Sequence, residues 1–307
     1  MRIRAGYELE YDCPQPTPML LALSVHPSRT DDLLTPQRLC VEPAAPTRDY
    51  LDGFGNRCTR LIAPAGRTCL STLFEIEDSG LPVRVVPEAP QDPIDALPDE
   101  VLVYLLGSRY CDTDQLADFA WATFADTRPG WERVQTIVDF VHDHLAFDYQ
   151  RADPRRTAHG GFVDRCGVCR DFAHLAIALC RAMNIPARYC TGYLGDIGVP
   201  PAPDPMDFSA WFEAFLGGRW HTFDARHNRP RIGRILMATG RDATDVAIST
   251  SFGQSRLVGF TVVTEELPHA AGGPVPWAAP ERNGTRHELQ SDMPAAARMS
   301  VVAEARG

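Results

Sequence analysis

The sequence has no lysine. All 30 of its basic residues are arginine, set against 40 aspartates and glutamates, for a formal net charge of −10. A codon bias that also favours alanine and proline explains this plainly; a functional alternative is that a lysine-free enzyme cannot acylate its own lysines. An excess of positive charge is missing too, which argues against nucleic acid or an anionic membrane as partner, because phosphate binding draws on clustered cations. Long apolar runs are also absent. None approaches the roughly 20 residues of a membrane span, and the opening MRIRAGYELEYD carries no apolar signal core. A cytoplasmic protein without membrane contact is expected. What is present is a chain of 307 residues, 44% hydrophobic, long enough to bury two cores without help from metal or disulfides. The cysteines number nine, an odd count scattered over the whole chain, and read as reduced thiols.

Along the first segment Met1, Ile3, Ala5, Tyr7, Leu9 and Tyr11 alternate with mostly charged residues, the period of two that marks a half-buried strand. The runs MLLALSV, RLCVEP and CLSTLFEIE are further short strands, and YLDGFGNRCTRL folds two of them about a Gly55-Asn56 turn. An antiparallel β-sandwich over 1–80 follows. Five prolines between Pro82 and Pro98 then break any helix or central strand, so 81–98 reads as a linker. From 99 to 264 the chain reads as a second, α+β domain. Its helices come first, with Val134, Ile137, Val138, Val141 and Leu145 at helical spacing, and the strands RYCTGYL, DFSAWFEAFL, RWHTFDA and LVGFTVV come after. Residues 265–307, rich in Ala, Pro, Gly and charge, read as a flexible tail.

The chemistry centres on DRCGVCRDFAH, Asp164 to His174. Read as a helix, CRDFAHLAIALCRAMNIP places Cys169, Phe172, Ala173, Ala176, Cys180 and Met183 on one face and stops at Asn184 and Pro186. Cys169 then begins the helix on its buried side, where orphan N–H groups and the positive dipole end favour a thiolate. Cys166, one turn earlier, falls in a loop. As zinc ligands, Cys166, Cys169, His174 and Cys180 nearly copy a zinc knuckle. However, the segment is apolar and helical, and His174 lies about 140° round the helix from Cys169, so no metal site is expected. As a redox pair, CGVC matches a thioredoxin-like helix start, but helices and a loop precede it rather than the first strand of a βαβ unit. Two buried sulfurs with only a packing role are the remaining possibility.

From Gly167 onward, GVCRDFAHLAIALCRAMNIPARYCTGYL, then AWFEAFLGGRWHTFDA, then GRDATDV, resemble the bacterial transglutaminase-like superfamily, relatives of papain-fold cysteine enzymes. The resemblance covers the whole second domain, and the β-rich first domain is similar to the amino-terminal region that often precedes it in bacterial members. It implies a papain-like core of helices packed on an antiparallel sheet, with Cys169 as nucleophile and Asp224 as the acid that orients a histidine. It implies no cofactor. The expected histidine precedes AW, a place held here by Ser209.

Gly217 and Gly218 suit a tight hairpin turn, so Leu216 pairs with Arg219, and counting outward Trp211 faces Asp224 and Ser209 faces Arg226. Ser209, Trp211, Glu213, Trp220, Thr222 and Asp224 then share one sheet face, and the slot of the missing histidine abuts Asp224. Serine cannot protonate a leaving amine. His227, three residues after Asp224, is the first candidate to replace the histidine; His221 belongs to the opposite face beside Phe223, and His159 lies in a loop. Trp211 is a candidate wall of the substrate cleft, and Glu213 either points to solvent or pairs with Arg226. The Cys169 N–H is the natural first oxyanion donor. The loop GDIGVPPAPDPMD is read as a wall, a lid or a plain connector. The expected function is thiolate attack on a protein or peptide amide through a thioester, with hydrolysis favoured over crosslinking. The alternatives are a binding module that has lost its histidine and a thiol redox protein using Cys166 and Cys169.

Overall fold

The computed structural model describes residues 1–201, 206–268 and 302–304. Its first layer pair is β throughout. The strand β1 (Arg2–Cys13) buries Ile3, Ala5, Leu9 and Tyr11 on one side, as the period of two requires. After β2 (Thr17–Leu21), β3 (Cys40–Glu42), β4 (Thr47–Leu51) and β5 (Arg57–Ala63) comes the long β6 (Gly66–Glu77), antiparallel to β1 over its whole length. The β4–β5 hairpin closes as expected, with Asp52 Oδ1 accepting the N–H groups of Phe54 and Asn56, and Gly55 at φ +82°.

The linker leads into short helical pieces, α1 (Asp99–Leu102) and α2 (Ala117–Phe124), and then the amphipathic α3 (Trp131–His144). The two-residue strand β7 (Ala146–Phe147) precedes α4 (Ala158–Asp164), and β8 (Cys166–Gly167) pairs parallel to β7. Cys166 is therefore in a bridge rather than a loop. His159 is likewise on α4, not in a loop, because Thr157 caps that helix by accepting the Gly160 N–H.

The central helix α5 (Cys169–Ala182) packs on a sheet of order β11-β10-β9-β12, made of β9 (Ala187–Leu194), β10 (Ser209–Leu216), β11 (Arg219–Phe223) and β12 (Arg234–Gly240). The hairpin register expected from the glycine pair is observed, Leu216 opposite Arg219 and Phe212 opposite Phe223, with Gly217 and Gly218 at φ +57° and +77°. The ladder ends there, so Asp224 lies just past it.

Helix α5 differs from a one-faced helix: every residue from Cys169 to Arg181 is buried. The charged ones are neutralised by partners. Asp171 meets Arg156 at 3.2 Å and Arg170 at 3.1 Å, and Arg181 donates to the carbonyls of Ala187, Leu106 and Arg241. Leu175, Ile177 and Leu179 are fully buried, each worth about 1.5–3 kcal/mol of transfer free energy. Asn184 at φ +61° turns the chain out of the helix.

The expected end of the second domain is corrected. The strands β13 (Ser249–Ser251) and β14 (Arg256–Leu267), the latter holding LVGFTVV, return to the first domain: β14 pairs with β1 and β13 with β2. The sandwich therefore consists of β14-β1-β6-β3 against a sheet that contains β13-β2-β5-β4, with the short β15 (Val302–Glu304) parallel to β13. The supposed tail thus begins inside β14, because Thr264 and Glu265 pair with Ala5 and Arg4; the other parts of 269–307 lie outside the described residues. The core of the first domain also takes in Tyr193, Phe208, Ile235 and Met237 from the second, so the two domains share an apolar seam.

Close packing makes Gly192 essential. A Cβ at Gly192 would stand 2.0 Å from the Ile235 carbonyl oxygen and 3.0 Å from Trp211 Cη2, whereas at Gly53 nothing lies within 4 Å. Gly192→Ala should cost about 3 kcal/mol or more and Gly53→Ala no more than about 0.5 kcal/mol by denaturant titration. Equal costs would contradict the β9–β12 packing.

Candidate active site

The start of α5 is fixed by Asp171. Its Oδ2 accepts the Val168 N–H at 2.9 Å, its own N–H donates to the Val168 carbonyl, and a Cβ at Gly167 would meet that carboxylate at 2.5 Å. Gly167 and Asp171 together hold Cys169 at the first helical position. There its N–H has no intrahelical acceptor, consistent with the role of oxyanion donor expected of it. The Ala210 backbone of β10 lowers the pKa of the Cys169 sulfur, and the charges that act on it most are Arg226 and Asp207. Arg226 is held in turn over the Phe147 ring at 3.7 Å.

Burial pushes the Cys169 thiol up to about 11; Arg226 and the Ala210 backbone pull it down, while Asp207 and Asp171 add to the rise. This corrects the expectation of a resting thiolate. A helix start contributes at most about 2 kcal/mol, or about 1.5 pKa units, so the thiol rests protonated near neutral pH. Cys166 and Cys169 are both free thiols.

Ser209 opens β10, opposite Gly192 and 7% exposed, with its carbonyl accepting the Thr191 hydroxyl. Trp211, also buried, lies along β10 with the Arg234 guanidinium 4.9 Å from its ring. The glycine at 192 leaves room for that ring. From β12, Arg234 reaches past β9 and β10 to place Nη2 2.5 Å from Asp224 Oδ2. Asp224 also accepts the His227 N–H on Oδ1 at 3.0 Å, and His227 Nδ1 stands 2.9 Å from Oδ2. The chain thus curls back past the strand end and sets His227 on Asp224. Burial alone would raise the Asp224 carboxyl, but Arg234 and His227 outweigh it and hold the group well below the usual carboxylate range.

The other residues weighed from sequence fall elsewhere. His221 is buried on the opposite face, its Nε2 3.1 Å from the Leu216 carbonyl and its ring edge-on to Trp131. Glu213 pairs with Arg188 at 2.6 Å, not with Arg226 or solvent. His174 turns away from Cys169 towards Ala243, whose N–H it accepts, and stacks on Tyr110; burial pushes its pKa down to about 3. Part of the loop at 195–207 lies outside the described residues, and its start is tied down by Arg231 donating to the Gly195 carbonyl. Sequence reasoning missed Arg234, because nothing local in RIGRIL marks a residue that acts three strands away. It also missed the aromatic seat of Arg226.

Residues 117–225 match the model of the Transglutaminase-like superfamily. The solved structure of a candidate cysteine protease from Cytophaga hutchinsonii is similar at 29% identity and a TM-score of 0.76, covering 91% of this chain and 94% of that one. A protein of Mycobacterium leprae is 39% identical over 84 residues, 26% of this chain and 30% of that protein. One of Mycobacterium tuberculosis is 29% identical over 144 residues, 44% and 46% respectively. The chain spans less than half the length of these curated relatives. The stretch 117–225 within its second domain is thus transglutaminase-like, and the likeness to the Cytophaga structure extends over the β domain as well. No helix among the described residues is long and apolar enough to cross a membrane.

Two measurements check the electrostatics. With its thiol near 11, Cys169 should alkylate about tenfold faster per pH unit from about pH 6 to 9, with no plateau, when followed by peptide mass spectrometry. Ser209→His should introduce a plateau below about pH 8; a plateau in the wild type would refute a resting thiol. Because the Asp224 carboxyl is depressed in the folded state, the stability it contributes is full above its unfolded value, about 3.9. That stability is lost as pH falls through the lower folded value. Asp224→Asn should cost about 3–5 kcal/mol at neutral pH by stranding Arg234. The gap from wild type should shrink below about pH 4, and a constant gap would contradict the ion pair.

Proposed function

We propose that this chain is a transglutaminase-like cysteine enzyme that cleaves amide or peptide bonds through a Cys169 thioester, with water as the usual acceptor. The observation that supports this most is the nucleophile position itself: Cys169 begins a buried helix packed on β10, and the strand paired with β10 ends just before the Asp224–His227 pair. In this reading Asp224 keeps the proton on His227 Nδ1, leaving Nε2 to take the proton from the Cys169 thiol. The sulfur attacks the carbonyl carbon, and the Cys169 N–H is a donor to the resulting oxyanion. The imidazolium then returns its proton to the departing amine, and water resolves the thioester by the same route. Trp211 and Ser209 line the cleft. Hydrolysis is preferred to crosslinking because water is always present and no residue specifies an amine site.

A second reading is a binding protein that keeps the cleft after losing its chemistry. The buried Ser209 in the histidine slot and the raised Cys169 thiol favour it. Profiling fluorogenic peptide amides separates the two. Turnover abolished by Cys169→Ala, and reduced about 10²- to 10⁴-fold by His227→Ala, supports the enzyme with His227 as acid and base. Turnover unchanged in His227→Ala removes that residue from the mechanism. No difference between wild type and Cys169→Ala on any substrate leaves the binding reading.

A further inference from the structure

A cavity of about 150 Å³ opens next to Asp224, between the linker, α3 and the chain that follows β11. Its wall carries Arg84, Arg229 and Arg234, with Asp224 the one carboxylate among them. In a chain with a net charge of −10, that concentration of cations is out of character. Asp224 is paired with Arg234 and His227, which leaves the charges of Arg84 and Arg229 without a carboxylate on this wall. Arg84 and Arg229 are exposed, and neither meets a carboxylate within ion-pair distance among the described residues. Arg234 is 11% exposed and lines the cavity, with its Nη2 on Asp224. A guanidinium is suited to a carboxylate. The space admits several waters and so a carboxylate on a short stem.

We infer that this cavity is a carboxylate-binding subsite, which selects amide substrates bearing an acidic side chain next to the bond to be cleaved. The inference rests on the amide-cleaving reading, because the shared Asp224 wall is what places the subsite beside the reacting groups. The acidic group enters between Arg84 and Arg229 at the mouth and faces the Arg234 guanidinium within. The two exposed arginines set the affinity, and Arg234 fixes the depth because it is already held by Asp224 and Trp211.

The test is binding to the full-length Cys169→Ala protein, which separates recognition from turnover. The probes are N-acetylglutamate α-amide and its neutral isostere N-acetylglutamine α-amide, titrated by calorimetry with inorganic phosphate as a third probe. The acidic amide should bind at least about tenfold more tightly than the neutral one, and more weakly as salt is raised. Arg84→Gln and Arg229→Gln should each weaken it about three- to tenfold, and the double variant should bind both amides alike. Both arginines are exposed, so these variants are expected to fold, which an unchanged melting temperature would verify. Equal binding of the two amides, indifference to both arginine changes, or tighter binding of phosphate than of the acidic amide would overturn the inference. Should the acidic amide bind selectively while wild-type protein hydrolyses no acidic peptide amide, the amide-cleaving reading fails and the subsite stands.

Discussion

Helix α5 has no solvent-facing side, and this constraint governs both the fold around it and the state of the thiol at its start. A helix buried all round cannot leave Arg170, Asp171, His174 and Arg181 uncompensated, because a buried charge without partners costs several kcal/mol. Their partners come from distant parts of the chain: Arg156 for Asp171, the Asp153 carbonyl for Arg170, the Ala243 N–H for His174, and the carbonyls of Leu106 and Arg241 for Arg181. The loops that carry those groups are thereby pinned to the helix, and Cys169 is pinned with them. The same burial stabilises the neutral thiol over the thiolate. Precise placement of the sulfur and its resting inertness therefore have one cause.

The second fixed point is a line of side chains across the sheet. Arg234 on β12 lies by the Trp211 ring of β10 and ends on Asp224 beyond β11, where His227 closes the turn. Each contact depends on the one before it. The ring needs the space left by Gly192, the guanidinium needs the ring and the carboxylate as neighbours, and the turn needs the carboxylate to accept the His227 N–H. The carboxylate stays ionised because two donors outweigh its burial. A paired, ionised carboxylate is therefore present in this domain even though serine stands in the slot where the resemblance places the histidine.

Much of this was legible in the sequence where the signal is local. The period of two along β1, the glycine pair that sets Leu216 opposite Arg219, and the apolar spacing of α3 and α5 each follow from a few neighbouring residues. The pairing of β14 with β1 was not legible. LVGFTVV has the composition of any half-buried strand, and nothing in it states that its partner lies some 250 residues earlier. The state of Cys169 was misjudged for a related reason. Helix-end stabilisation can be read from position, but desolvation depends on what packs around the sulfur, which only the tertiary structure supplies. Glu213 shows the same limit, since its register was right while its partner, Arg188, sits on the neighbouring strand.

The charges facing Cys169 decide what kind of reaction the site can carry. Arg226, seated on Phe147, favours the thiolate by its charge. It can stabilise an anion, yet it can neither take the thiol proton nor give one to a departing amine. An imidazole can do both, because its two forms are comparably populated near neutrality. Cleavage of an amide, whose leaving group must be protonated, therefore depends on an imidazole and cannot be carried by the arginine alone. Ser209 occupies the place nearest the resemblance's expectation with a hydroxyl that is neither base nor acid at that pH. The imidazole held on the orienting aspartate is His227, whose tautomer and orientation are set by the same carboxylate that anchors Arg234. The ion pair between β12 and the end of β11 is thus the point at which sheet geometry fixes the position of that imidazole.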